Sequence, residues 1–147
     1  MPTDRQEPNL GVLLFVAYRA LEQRAHDAVT AAGITDITPA QARIAARIGP
    51  DGTRVSDLAE QTRVTKQSAG FLVEQLEAAG YVERVPDPAD GRARLVRLTG
   101  RADRVVSVAN AEVEVVLAEW ADHVGADRLQ QLYDTLLDLR DITDPWR

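Results

Sequence analysis

A glycine that stops a helix, followed at once by two short strand-like segments around a basic tip, constrains this chain more than any other feature. The run Leu76-Glu-Ala-Ala-Gly-Tyr-Val-Glu-Arg84 ends a helical pattern at Gly80, the residue type that most often closes a helix. Residues 81–85 and 93–98 are short runs rich in Tyr, Val and Leu that read as strands. The intervening loop, 86–92, contains Asp90-Gly91, a good tight-turn pair. Strands this close in sequence can pair only as an antiparallel hairpin. Two helical segments precede it with a short break between them, so the centre of the chain reads as a helix–turn–helix followed by a wing.

The remaining elements are helical. Leu10, Leu13, Leu14, Ala17, Leu21, Ala25, Ala28 and Val29 recur at helical spacing, predicting one amphipathic helix over 9–32 that Gly33 stops. Thr38-Pro39 is a cap followed by a first-turn proline, opening a helix through about 48. Gly49-Pro-Asp-Gly52 is a loop. Val55 reads as part of a very short strand, with Ser56 or a neighbour capping a helix to about 61. Thr65 caps the next helix, which begins at Lys66. Thr99 opens a long helix with Ala102, Val105, Ala109, Val113, Val116 and Trp120 on one stripe; Gly125 breaks it, and a last helix ends near Arg140.

The expected fold is therefore mainly α with a small β-hairpin wing. A single unit spans 1–147, with a winged helix–turn–helix over 38–99 flanked by helices at 9–32 and 101–141. The flanking apolar stripes are wider than a small winged-helix core covers. They either pack on that core within one chain or pair with a second copy, and the homodimer is the favoured reading.

Bulk properties narrow the function classes. A hydrophobic content of 45% in 147 residues supports a real core. No run of about 18 apolar residues exists, so no membrane partner is expected. The segment 1–9 lacks a basic stretch followed by an apolar one, so it does not read as a signal peptide, and a cytoplasmic location is expected. The absence of cysteine excludes disulfides and thiolate metal sites.

The net charge of −6 sits awkwardly with nucleic-acid binding until its distribution is considered. Residues 54–104 carry nine basic and eight acidic side chains, and within 92–104 five arginines face one aspartate. Phosphate affinity depends on charge near the groove rather than on the whole-chain sum.

On a helical wheel Ala69, Leu72, Val73 and Leu76 face inward, leaving Gln67, Gly70, Phe71, Glu74 and Ala78 outward. Gln67 suits an adenine edge, while Thr65, Lys66 and Ser68 lie where helix N-termini meet phosphates. Gly70 in mid-helix costs roughly 1 kcal/mol relative to alanine and suggests close approach of DNA or of another helix. Phe71 could touch a thymine methyl or fold onto a neighbour. In the hairpin Arg92 and Arg94 share a face and Arg97 takes the other. An arginine at the tip suits a narrow minor groove. Asp90, two residues before Arg92, could instead support the wing by holding that arginine in a salt bridge.

Other chemistry is weakly represented. His26 and His123 lie on separate helices, so no metal site is expected, and no cofactor. Tyr18, His26 and Trp120 are candidates for an effector pocket between parts, with ordinary packing the heavier reading for each. Glu112 and Glu114 read as solvated helix surface. No phosphate loop or nucleophile elbow occurs, so the chain does not read as an enzyme.

Val55-Ser-Asp-Leu-Ala59, Leu76-Glu-Ala-Ala-Gly-Tyr-Val-Glu-Arg84, and Asp87-Pro-Ala-Asp-Gly-Arg92 followed by Leu95-Val-Arg-Leu-Thr99 together resemble the MarR family of bacterial transcription regulators. The resemblance spans nearly the whole chain. It implies a homodimer joined by first and last helices that binds a pseudo-palindromic operator in double-stranded DNA. It also implies that Arg92 is the wing arginine with Asp90 as its partner, that the chain represses nearby genes, and that a small phenolic or lipophilic anion releases it. Many members carry Ser/Thr-Arg in mid recognition helix where this chain has Gly70-Phe71, which shifts weight onto Lys66, Gln67 and the wing. The alternative is a winged-helix protein-interaction module whose wing docks on an acidic partner.

Overall fold

The computed structural model describes residues 7–146; most of the N-terminal segment read for a leader, residues 1–6, lies outside the described residues, as does residue 147. In chain order the elements are α1 (Leu10–Ala31), α2 (Pro39–Ala45), α3 (Val55–Thr62), α4 (Lys66–Ala78), β1 (Val82–Asp87), β2 (Asp90–Leu98), α5 (Gly100–Val124) and α6 (Ala126–Thr143). This is the mainly helical fold with a two-stranded hairpin that the patterning predicts.

Capping chemistry sets most boundaries. The Asn9 side chain accepts the Val12 N–H at 3.0 Å and starts α1. Thr38 and Gln41 form a reciprocal capping box, and Pro39 occupies the first turn of α2. That helix ends at Ala45, short of the expected 48. Val55 is the first helical residue of α3 rather than part of a strand. The extended pairing falls two residues earlier, where Thr53 bridges Val96 through bonds of 2.9 and 2.8 Å.

The hairpin pairs Val82 with Leu98 through Pro86 with Arg94, and an irregularity at Pro86/Asp87 precedes the turn. Pro88 and Ala89 form that turn, so the expected seven-residue loop is shorter and Asp90-Gly91 belongs to β2. The cause is local. The Asp87 carboxylate accepts the Ala89 N–H at 2.9 Å, and Pro88 presets φ at the first corner.

One core joins the helix–turn–helix to the hairpin. Ile44 of α2, Leu58 of α3, Ala69, Val73 and Leu76 of α4, and Tyr81, Val82 and Val96 at the hairpin base are all buried in it. Full burial of each aliphatic side chain stabilises by roughly 1.5–3 kcal/mol. Buried Gln41 donates to Gln75 at 3.0 Å, fixing α2 against α4 without leaving a polar group unsatisfied.

The long helices extend away from this core. Arg24 on α1 bonds Glu112 and Glu119 on α5 at 3.0 and 2.7 Å, so Glu112 is an ion-pair partner rather than merely solvated surface. After Gly125, at φ +95°, α6 folds back on α5, and it contains no buried residue. Its end is tied to the end of α2 by Arg47–Asp144 at 2.5 Å. Large apolar side chains stay exposed on both flanking helices, among them Leu10, Phe15 and Val16 on α1 and Tyr133 and Ile142 on α6. No described helix is long and apolar enough to cross a membrane.

Candidate nucleic-acid interface

The outward face of α4 matches the wheel. Thr65 accepts the Ser68 N–H at 3.0 Å and donates its own hydroxyl proton to Ser68 Oγ at 2.9 Å, so both serve the cap. Lys66 and Gln67 are exposed on the first turn, and Phe71 is 60% exposed. A Cβ built on Gly70 would meet nothing within 4 Å. Of the two partners suggested by that glycine, a helix of the same chain is therefore excluded.

Along β2 and the start of α5, most of the arginines are engaged within the protein. Arg97 bonds Glu83 across the strands at 2.6 Å, and Arg101 bonds Asp36 at 2.9 Å while lying over the Tyr81 ring. Arg104 donates to the Ala32 carbonyl at 2.8 Å and Arg94 to the Arg84 carbonyl at 3.3 Å. Of the five arginines in 92–104, only the Arg92 guanidinium has no hydrogen bond or ion pair among the described residues. Asp90 does not pair with that guanidinium. Its Oδ1 accepts the Arg92 backbone N–H at 3.1 Å, and its Oδ2 lies 3.7 Å from Arg54. Asp90 thus orders the strand backbone and leaves the arginine side chain free.

Arg63, absent from the sequence candidates, occupies the turn between α3 and α4 at φ 58°. A left-handed conformation is uncommon for a residue with a Cβ. Its side chain is exposed, with no hydrogen bond or ion pair among the described residues. Its sequence signal was position alone, three residues before Lys66. Arg54 and Asp87 were also missed, because their contact joins residues 33 apart; Arg54 Nη2 donates to Asp87 Oδ2 at 2.7 Å. That guanidinium, together with the Ala89 N–H, holds the Asp87 carboxyl below its ordinary range.

The three effector-pocket candidates are not brought together. His26 lines a cavity of about 90 Å³ with Glu22, Val29, Ile37 and Val105. Trp120 lines a separate one of about 400 Å³ between α5 and α6 with Leu117, Leu129 and Tyr133. Tyr18 lines neither; its hydroxyl donates to Glu22 at 2.6 Å, and burial followed by that bond raises its pKa. A further cavity of about 360 Å³ adjoins the His26 cavity and lies between α2 and α5, lined by Ala42, Ala45, Leu98, Val105 and Val106. The described residues contain no cluster of three or more potential metal ligands.

A model of the MarR family matches residues 35–93, the span from α2 through the wing tip. Over 145 residues the chain is 28% identical to the HTH-type transcriptional regulator FarR of Neisseria gonorrhoeae, covering 98% of this chain and 97% of that one. The structure of NadR in complex with 4-hydroxyphenylacetate superposes with a TM-score of 0.70 at 26% identity, covering 97% of this chain and 99% of the other. The Multiple Antibiotic Resistance Repressor, MarR, shares the fold at a TM-score of 0.72 and 22% identity, covering 90% and 97% of the two chains. These relatives are transcription regulators and not enzymes. With the helix–turn–helix, the arginine-tipped hairpin and the flanking helices in the same order, residues 35–93 match the MarR family model and the chain is similar over nearly its whole length to winged helix–turn–helix transcription regulators.

Proposed function

We propose that the protein is a cytoplasmic homodimeric repressor that seats α4 of each copy in successive major grooves of a pseudo-palindromic operator. Residues 38–99 form the DNA-binding part, and the helices over 9–32 and 101–141 form the dimer. Arg92 enters the minor groove, Lys66 and Arg63 meet phosphates, and Gln67 and Phe71 face base edges. The observation that carries this reading is the free Arg92 guanidinium at the hairpin tip, beside four arginines already engaged internally.

Release by a small aromatic anion extends the same reading. The relative NadR was solved with 4-hydroxyphenylacetate, and here the cavities beside His26 and Ala42 lie where α1, α2 and α5 meet. A ligand there would change the angle between the long helices and the DNA-binding part.

Footprinting on the region upstream of the protein's own gene tests the DNA clause. Two protected half-sites are expected, with centres about 10–10.5 base pairs or a multiple apart. Protection of a single half-site, or none, would contradict a two-fold dimer. Adding 4-hydroxyphenylacetate and related aryl carboxylates should lift the protection; insensitivity across such a panel would remove the effector clause alone.

A further inference from the structure

The hairpin is held at two places. At its base, Thr53 pairs with Val96. Toward its tip, the next residue, Arg54, reaches along the strand: Nε and Nη2 both donate to Asp87 Oδ2 at 3.1 and 2.7 Å, and Nη2 lies 3.7 Å from Asp90 Oδ2. Asp87 is nearly buried and also accepts the Ala89 N–H, while Asp90 accepts the Arg92 N–H. A continuous set of polar contacts therefore runs from the start of α3 through both turn-flanking carboxylates to the backbone of Arg92. From Val96 to Asp90 the strand extends about 20 Å. An isolated two-stranded ribbon of that kind is marginally stable.

We infer that Arg54 is a positioning residue for DNA binding, which fixes the wing tip relative to α3 and α4 through Asp87 and Asp90. With the tip fixed, Arg92 meets the minor groove when α4 sits in the major groove, and less conformational freedom is lost on binding. This inference rests on the DNA-binding reading above. The rival role is that Arg54, which keeps part of its surface in solvent, itself contacts phosphate.

Asp87→Asn separates the two roles. The amide retains an oxygen for the Ala89 N–H but removes the charge that holds Arg54. A positioning pair then loses affinity, whereas a phosphate-contacting Arg54 would be freed and bind more tightly. The experiment uses full-length protein and a fluorescent duplex from its own upstream region, with ¹⁵N relaxation of the free protein alongside. Arg54→Ala and Asp87→Asn should each weaken binding about tenfold, the scale of one charge-assisted contact, and the double variant should be no weaker than Arg54→Ala. In an Arg92→Ala background, Arg54→Ala should add little. Order parameters at Gly91 and Arg92 should fall from about 0.85 to below about 0.6 in both variants, with α4 unchanged. Unaltered or tighter binding by Asp87→Asn with a rigid wing overturns the inference while the DNA reading stands. A wild type that binds no duplex, even though Asp87→Asn loosens the wing, overturns the DNA reading and with it any positioning role in binding.

Discussion

Gly70 sits in the middle of α4 with open space where a Cβ would go. Alanine there should stabilise the free protein by about 0.4–1 kcal/mol, since glycine is the poorer helix former and nothing has to move. If DNA lies against this turn, the same methyl should weaken operator binding severalfold. Denaturant unfolding and duplex titration of Gly70→Ala read the two effects separately; a more stable variant with unchanged affinity would remove Gly70 from the interface. Residue-level features with a strict period were legible from sequence: the buried side of α4 and the shared face of Arg92 and Arg94 follow from helix and strand geometry. The turn was misplaced because Asp90-Gly91 and Asp87-Pro88 carry equally good turn chemistry, and only the Asp87 side-chain bond to Ala89 decides between them. Asp90 was correctly located near the tip, but its bond to the Arg92 backbone rather than the guanidinium depends on strand pairing that spacing does not specify.

Between elements, polar clamps set how the DNA-binding part meets the long helices. Arg43 on α2 donates to both oxygens of Glu22 on α1 at 2.7 and 2.6 Å, and the Tyr18 hydroxyl adds a third bond. The Arg43 bonds, above all, lower the Glu22 pKa from the usual 4.5 to about 2. A carboxyl depressed in the folded state stabilises fully above its unfolded pKa and loses that contribution as pH falls toward its folded one. The α1–α2 clamp should therefore weaken between pH 4.5 and about 2. Glu22→Gln is expected to melt lower at neutral pH and to show a shallower fall of Tm across this acid window. A Tm profile parallel to that of the wild type would show that the clamp contributes nothing. Within the core, Leu76→Ala should cost about 2–5 kcal/mol, because Leu76 is fully buried where α4 meets the hairpin base. Unfolding in denaturant measures it, and a loss below about 1 kcal/mol would mean that the site collapses around the gap. Element order was readable because caps and stop glycines punctuate the helices at Thr38, Thr65 and Gly33. The start of α3 was not, since Arg54 supplies no side-chain cap and Val55 has strong β propensity.

For the whole molecule, the unresolved demand of a single chain is its exposed apolar surface. Phe15 is 63% and Ile142 81% exposed, on the two helices assigned to the dimer. Phe15→Glu combined with Ile142→Glu should produce monomers in sedimentation velocity and abolish tight operator binding while the winged core stays folded; a persistent dimer would place the interface elsewhere. The width of the apolar stripes announced this surface in the sequence. In the proposed dimer the separation of the two α4 helices, about 34 Å for successive major grooves, is set by side chains from both copies and has no signature in one. The central claim is that the free arginine at the wing tip of this MarR-like protein binds DNA. Its most direct test is an anisotropy titration of wild type and Arg92→Ala against a duplex from the protein's own upstream region at two salt concentrations. The expected result is wild-type binding that weakens steeply with salt, and an Arg92→Ala dimer that binds about 1–3 kcal/mol more weakly with a shallower salt slope. Equal affinities and equal slopes for the two proteins would contradict it.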